Sequence, residues 1–271
     1  MRIITHAGKC HLDDFLACCL LAYKYNYPIY RVASVDWSSI QDGDIVVDIG
    51  GRYEPPYILD HHGDINIRCS LYLVLYHHFG YSFETLDQVK LLRYIDLRDR
   101  FGSKKAVQMI FGVEDTPREL NTLEPLVLPL FSERTVIQPD DPLYIVMREI
   151  GRKLLELIDR YLMRLLMYKV LIPKVNGNGV KYVIVAEENN PDIQLINEIH
   201  DVDVVVSPNS RDPNQTSITV VNDKPVSLDQ VYEYFNKQGK VVFYHANRFL
   251  IVLDYPVYRL PKEAIELIKF K

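Results

Sequence analysis

Apolar and polar positions fall into blocks along the first hundred residues. The run Arg2–Thr5 is short and apolar, and the stretch His6–Asp14 that follows is polar. "FLACCLLAYKY" at 15–25 is apolar enough for a buried helix. "IYRVASV" from Ile29 reads as a strand, "DIVVDIGG" from Asp44 is a second apolar run, and "PYILDHH" from Pro56 is a third. Two helices are predicted over about 70–79 and 83–98. Short strands separated by helices imply a mostly parallel sheet with helices on its faces, an α/β fold. From Pro142 to Leu171 apolar residues recur at helical spacing, which predicts one long connecting helix. "PKVNGNG" at 173–179 reads as a linker. Beyond it, five strand-like runs and helices near 193–199, 228–238 and 261–269 predict a smaller C-terminal α/β domain. The expected boundaries are 1–140, a helical connector and linker over 141–175, and 176–271.

Composition narrows the class. Of 271 residues, 48% are hydrophobic and 25% charged, as in a soluble globular protein. A net charge of −5 argues against a generic nucleic-acid coat but leaves room for a locally basic cleft. "MRIITHAGKC" does not read as a signal peptide, and no run approaches the roughly 20 apolar residues of a membrane span. Cys10, Cys18, Cys19 and Cys69 form no Cys-x-x-Cys pair and read as reduced thiols. A cytoplasmic protein without membrane contact is expected; the oligomeric state is left open.

Six of the eight histidines lie before residue 80, so any histidine chemistry is concentrated there. Ligands of parallel sheets bind beyond the carboxyl ends of the strands. The first strand is followed by His6, His11, Asp13 and Asp14, the second apolar run by Asp48 and Gly50-Gly51, and the third by Asp60, His61 and His62. Each residue alone has a structural reading. His6 could be a hydrogen-bonded core histidine, Asp13 or Asp14 a helix cap, and His77-His78 a cationic pair at a helix C-terminus. Three strand ends delivering acids and imidazoles to one edge point instead to a metal site. Nitrogen and oxygen donors without thiolate suit Mn²⁺ best, with Mg²⁺, Co²⁺ or Zn²⁺ as weaker options. Six or so ligands fit two ions about 3.5–4 Å apart, which would activate a bridging hydroxide and neutralise phosphoryl charge.

These motifs resemble the DHH phosphoesterase superfamily, and within it the MYG-type exonuclease family. The matching blocks are Thr5-His6-Ala7-Gly8-Lys9-Cys10-His11-Leu12-Asp13-Asp14, Asp48-Ile49-Gly50-Gly51-Arg52-Tyr53-Glu54-Pro55, Asp60-His61-His62, His78-Phe79-Gly80, Asp96-Leu97-Arg98-Asp99 and His245-Ala246-Asn247-Arg248-Phe249. The resemblance implies a DHH-type metal-binding catalytic domain followed by a C-terminal substrate-binding domain that closes over the cleft. His6 and His11 would bind one ion, Asp13 and His61 the other, and Asp48 would bridge them. Asp99 would complete the second site, with Asp96 its rival. His62 would face the substrate phosphate and Asp60 would orient His61. His245 would bind phosphate, and the donor fork of Arg248 suggests the same for it.

The implied activity is a Mn²⁺-dependent phosphodiesterase, a 3′-to-5′ exonuclease on single-stranded RNA or short oligonucleotides. A small phosphodiester or pyrophosphate hydrolase is the alternative within the class. The sequence departs from the family after Asp60-His61-His62, where the chain runs almost straight into a helix, and after Asp99 and Phe249. Outside the enzyme class, the alternative is a non-catalytic metal- or nucleotide-binding regulator. Loss of a ligand would mark it, and all expected ligands are present.

Overall fold

The computed structural model describes residues 1–112, 124–222 and 224–271. It divides into two compact units, Met1–Leu162 and Met163–Lys271. The first runs β1 (Ile3–His6), α1 (Leu12–Tyr25), β2 (Ile29–Val32), β3 (Ile45–Val47), β4 (Tyr53–Glu54) and β5 (Ile58–Leu59). It continues through α2 (Ser70–Phe79), α3 (Phe83–Leu86), α4 (Lys90–Phe101), α5 (Ser103–Phe111), α6 (Glu124–Ser132), β6 (Val136–Ile137) and most of α7 (Pro142–Lys169).

The sheet order is β4-β5-β3-β1-β2-β6, with the four inner strands parallel and the two edge strands antiparallel. All four inner strands therefore end at one edge. Ile3, Ile45, Val46 and Val47 are almost completely buried, as strands covered on both faces require. Helix α1 follows from its sequence. Acidic Asp13 and Asp14 occupy the first turn, where the dipole favours them, and Asn26 stops the helix in the left-handed region at φ 55°. Its small residues admit α7 closely: a Cβ on Gly151 would lie 2.3 Å from the Cys19 carbonyl oxygen.

The second unit adds β7 (Lys174–Val175), β8 (Lys181–Ile184), α8 (Ile193–His200), β9 (Val204–Pro208), β10 (Thr216–Val220), β11 (Val226–Ser227), α9 (Asp229–Asn236), β12 (Val241–Tyr244), β13 (Leu250–Leu253), α10 (Glu263–Glu266) and β14 (Lys269–Phe270). Its sheet, ordered β12-β13-β10-β9-β8-β7, is antiparallel except for β8–β9. The α/β class thus holds in both units. Among the described residues no helix is long and apolar enough to cross a membrane.

Four local expectations need correction. The helix predicted over 83–98 breaks into α3 and α4, because Asp87 turns to accept from Arg68 and Tyr72, at 2.6 and 3.2 Å. "PKVNGNG" is a hairpin joining β7 and β8, and the Asn176 side chain pins it by donating to the carbonyls of Ile265 and Ile268. The predicted 261–269 helix stops at Glu266, and Lys269–Phe270 pairs with β11.

The fourth correction concerns His78. Near the end of α2 the dipole favours a cation, but His78 is buried against Tyr25, and burial drives its pKa down to about 4. It therefore folds neutral. Its contribution to stability is complete above the unfolded value near 6.5 and declines as pH falls toward 4. The free energy of unfolding is expected to drop by up to about 3 kcal/mol over that window from this one group. His78→Phe should flatten that part of the pH profile in urea titrations.

Candidate metal centre

Each strand end contributes as the chain leaves the sheet. His6 is the last residue of β1, and His11 caps the N-terminus of α1, whose first turn holds Asp13 and Asp14. Asp48 follows β3 with φ 58°, a left-handed conformation that Asp tolerates better than most residues. The turn is then carried by Gly50, where a Cβ would meet the Trp37 ring at 2.5 Å. Asp60, His61 and His62 follow β5, and Asp99 reaches in from α4.

The side chains meet. His61 Nε2 lies 3.1 Å from Asp48 Oδ1 and 2.9 Å from Asp99 Oδ2. His6 Nε2 lies 3.4 Å from Asp48 Oδ2 and 3.1 Å from Asp14 Oδ2, and His11 Nδ1 lies 3.8 Å from Asp99. His6, His11 and Asp48 place one donor atom each within 4.8 Å of one another. So do His11, Asp13 and Asp99, and so do Asp48, His61 and His62.

Buried polar atoms ordinarily find partners. Here His6 Nε2, both Asp13 oxygens, Asp14 Oδ2, Asp48 Oδ2, His61 Nε2 and Asp99 Oδ2 are buried without a hydrogen-bond partner. Several of them lie within ion-pair distance of one another, His6 Nε2 beside Asp14 and Asp48, and His61 Nε2 beside Asp48 and Asp99. Asp13 is completely buried, and burial together with Asp48 and Asp99 pushes its carboxyl well above the usual range. The carboxylates of Asp14 and Asp48 raise His6 to about 11. Burial opposes the same shift at His61, but Asp48 and Asp99 prevail and raise it to about 10. For Asp48, burial opposes and the neighbouring imidazoles win, holding its carboxyl below its ordinary value. Such acids need positive charge among them, and oxygen and nitrogen donors without thiolate suit divalent cations. The residues present fit such ions.

Other expected residues go elsewhere. Asp96 is not in the cluster: its oxygens accept from Arg68, Arg100 and the Cys69 N–H, a fully used buried carboxylate. Asp60 orients His62 rather than His61, accepting from the His62 ring at 2.7 Å and from its backbone N–H at 3.0 Å. Its other oxygen accepts from Gly51 N. The Asp60 bond to Nδ1 raises the His62 pKa and leaves Nε2 outside that bond, on a ring that is more than half exposed. In the second unit, His245 and Arg248 sit on the β12–β13 turn, and the Arg248 guanidinium pairs with Asp229, 3.2 Å away.

Ser70 was missed by sequence reasoning. Fully buried at the start of α2, it donates to Asp48 Oδ1 at 2.8 Å. Serine at a helix start reads as a cap, so only the fold reveals the contact. Ser70→Ala should weaken divalent-ion binding at this cluster roughly 10- to 100-fold in a calorimetric titration. Unchanged ion affinity would make Ser70 a packing residue only.

Residues 2–83 match the family model MYG1_exonuc, described as an uncharacterised protein family. The MYG1 exonuclease of Homo sapiens is 44% identical over 66 residues, covering 22% of this chain and 17% of that protein. The Mus musculus MYG1 exonuclease is 41% identical over 63 residues, with 22% and 17% covered. The matched stretch thus spans about a sixth of the length of these curated relatives. A solved DHH domain, "Member of s1p family of ribosomal proteins PF0399 DHH domain", aligns over 98% of this chain and 84% of that one, at 11% identity and a TM-score of 0.31. That likeness is too low to bear on fold or function.

Proposed function

We propose, from the premise that residues 2–83 are those of the MYG1 exonuclease family, that the chain is a metal-dependent phosphodiesterase, an exonuclease shortening single-stranded RNA or short oligonucleotides from the 3′ end. The observation carrying this reading is the set of buried, partnerless acid and imidazole atoms at the carboxyl edge of the parallel sheet. His6, His11 and Asp48 would hold one divalent ion, and Asp13, His61, Asp99 and the shared Asp48 the other, Mn²⁺ being the best fit. When bound, two such ions supply a nucleophile at neutral pH and neutralise phosphoryl charge.

The chain's own residues do the rest. Asp60 fixes the tautomer and direction of His62, whose Nε2 donates a proton or hydrogen bond to the substrate phosphate. The Gly50-Gly51 turn lets substrate approach the backbone beside Asp48. His245 and Arg248 serve as phosphate contacts of the second unit. Location in the cytoplasm is part of the same reading.

The test is an end-labelled single-stranded RNA incubated with and without Mn²⁺ and run on a denaturing gel. A metal-dependent ladder shrinking from the 3′ end is expected. Intact RNA with cleavage of dinucleotides or pyrophosphate would replace the substrate assignment. No hydrolysis of any of them would favour a metal-binding regulator.

A further inference from the structure

Two cavities in the first unit adjoin the metal centre from different sides. The smaller, about 370 Å³, is lined by the ligand residues His6 and Asp48, the Gly50-Gly51 turn and His62. The larger, about 890 Å³, begins at His11, Asp13 and Asp99 and runs toward α6 and the start of α5. Lys9 and His11 line both, so the two spaces meet at these residues.

Their linings differ in chemistry. The smaller cavity is formed by imidazoles, acids and turn backbone and suits a phosphoryl group. The larger has apolar walls from Leu12, Ile95, Pro125 and Leu128. Among the described residues that line it, the charges apart from the metal cluster cancel, Lys9 and Arg98 against Glu124 and Glu133. The Arg98–Glu124 contact is itself bidentate, so neither charge is available to an ionic ligand. A second phosphate would find no excess positive charge among these described residues. A planar, uncharged group with polar edges would find apolar walls, hydroxyls and a fixed donor–acceptor pair. Its volume lies within the span of small-molecule sites, about 300–1,000 Å³.

We infer that this larger cavity is the nucleoside subsite: it receives the sugar and base on one side of the scissile phosphate, while the phosphate sits at the Lys9–His11 junction. The inference rests on the phosphodiesterase reading and deepens it, favouring a nucleotide ester over pyrophosphate as substrate. Leu128, half-buried on α6, and Ser103, exposed at the start of α5, then control which substrates enter.

The test compares two chromogenic diesters in Mn²⁺: thymidine 5′-(p-nitrophenyl phosphate) and methyl p-nitrophenyl phosphate. The wild-type chain should prefer the nucleoside ester by at least tenfold in kcat/KM. Leu128→Trp and the surface variant Ser103→Trp, which add bulk to the cavity from α6 and from the start of α5, should each remove most of that preference. Hydrolysis of the methyl ester should stay within about twofold, which also reports that the variants are folded. A preference unchanged in Ser103→Trp and in folded Leu128→Trp, or no preference in the wild type, overturns the subsite while leaving the phosphodiesterase reading in place. Hydrolysis of neither ester by the wild type overturns both.

Discussion

Asp48→Asn is expected to reduce metal-dependent hydrolysis by at least about 1000-fold, a loss of roughly 4 kcal/mol of transition-state stabilisation, while leaving the fold in place. Among the described residues, Asp48 groups with His6 and His11 on one side and with His61 and His62 on the other, each set offering donor atoms within 4.8 Å of one another. Its removal therefore takes a donor from both. The amide is the right probe because the residue sits at φ 58°, where Asn is tolerated and Ala is strained. Asn can also keep accepting from the Ser70 hydroxyl. Turnover should be measured at saturating Mn²⁺, with calorimetric metal titration alongside. Turnover within tenfold of wild type, with two ions still bound, would remove Asp48 from its shared position.

The same residues show how far the sequence reaches. The strand ends were legible because three short apolar runs each stop at Asp or His, and the parallel order then brings those ends to one edge. The choice between Asp96 and Asp99 was not legible. Three residues apart on one helix, they share a face, and periodicity cannot separate them. What separates them is Arg68, from the loop before α2, together with Arg100, which occupy Asp96 and leave Asp99 free to approach His61. The partner of Asp60 was misread for a similar reason. Adjacent imidazoles look alike in sequence, and only the turn at Gly63, φ 99°, accompanies the folding of His62 back onto Asp60. Ser70 and the neutral His78 depend on burial, which no local pattern reveals.

Asp13→Asn should separate stability from function most sharply. In the metal-free protein, Asp13 is a completely buried carboxylate with neither oxygen hydrogen-bonded and with Asp14, Asp48 and Asp99 around it. A carboxyl raised in the folded state contributes stability only below its unfolded pKa and loses it as pH rises. At neutral pH Asp13 therefore opposes folding. Replacing it by the neutral amide is expected to stabilise the metal-free chain by on the order of 2 kcal/mol, less than a full buried charge because the amide is also left without partners. For a unit of this size that corresponds to roughly 5 °C in the melting temperature in EDTA. Mn²⁺ should act in the opposite sense on the two proteins. Wild type gains stability, because the ion binds the native state and not the unfolded one. The variant, short of a ligand, should gain little and lose hydrolysis. Thermal melts of both proteins with EDTA and with Mn²⁺, at pH 7, decide it. If Asp13→Asn melts below wild type in EDTA, the buried acid has a stabilising partner. If Mn²⁺ raises both melting points equally, Asp13 is not a ligand. Higher stability without metal and lower stability with it is the signature of a carboxylate placed for an ion, at a cost the fold bears until the ion arrives.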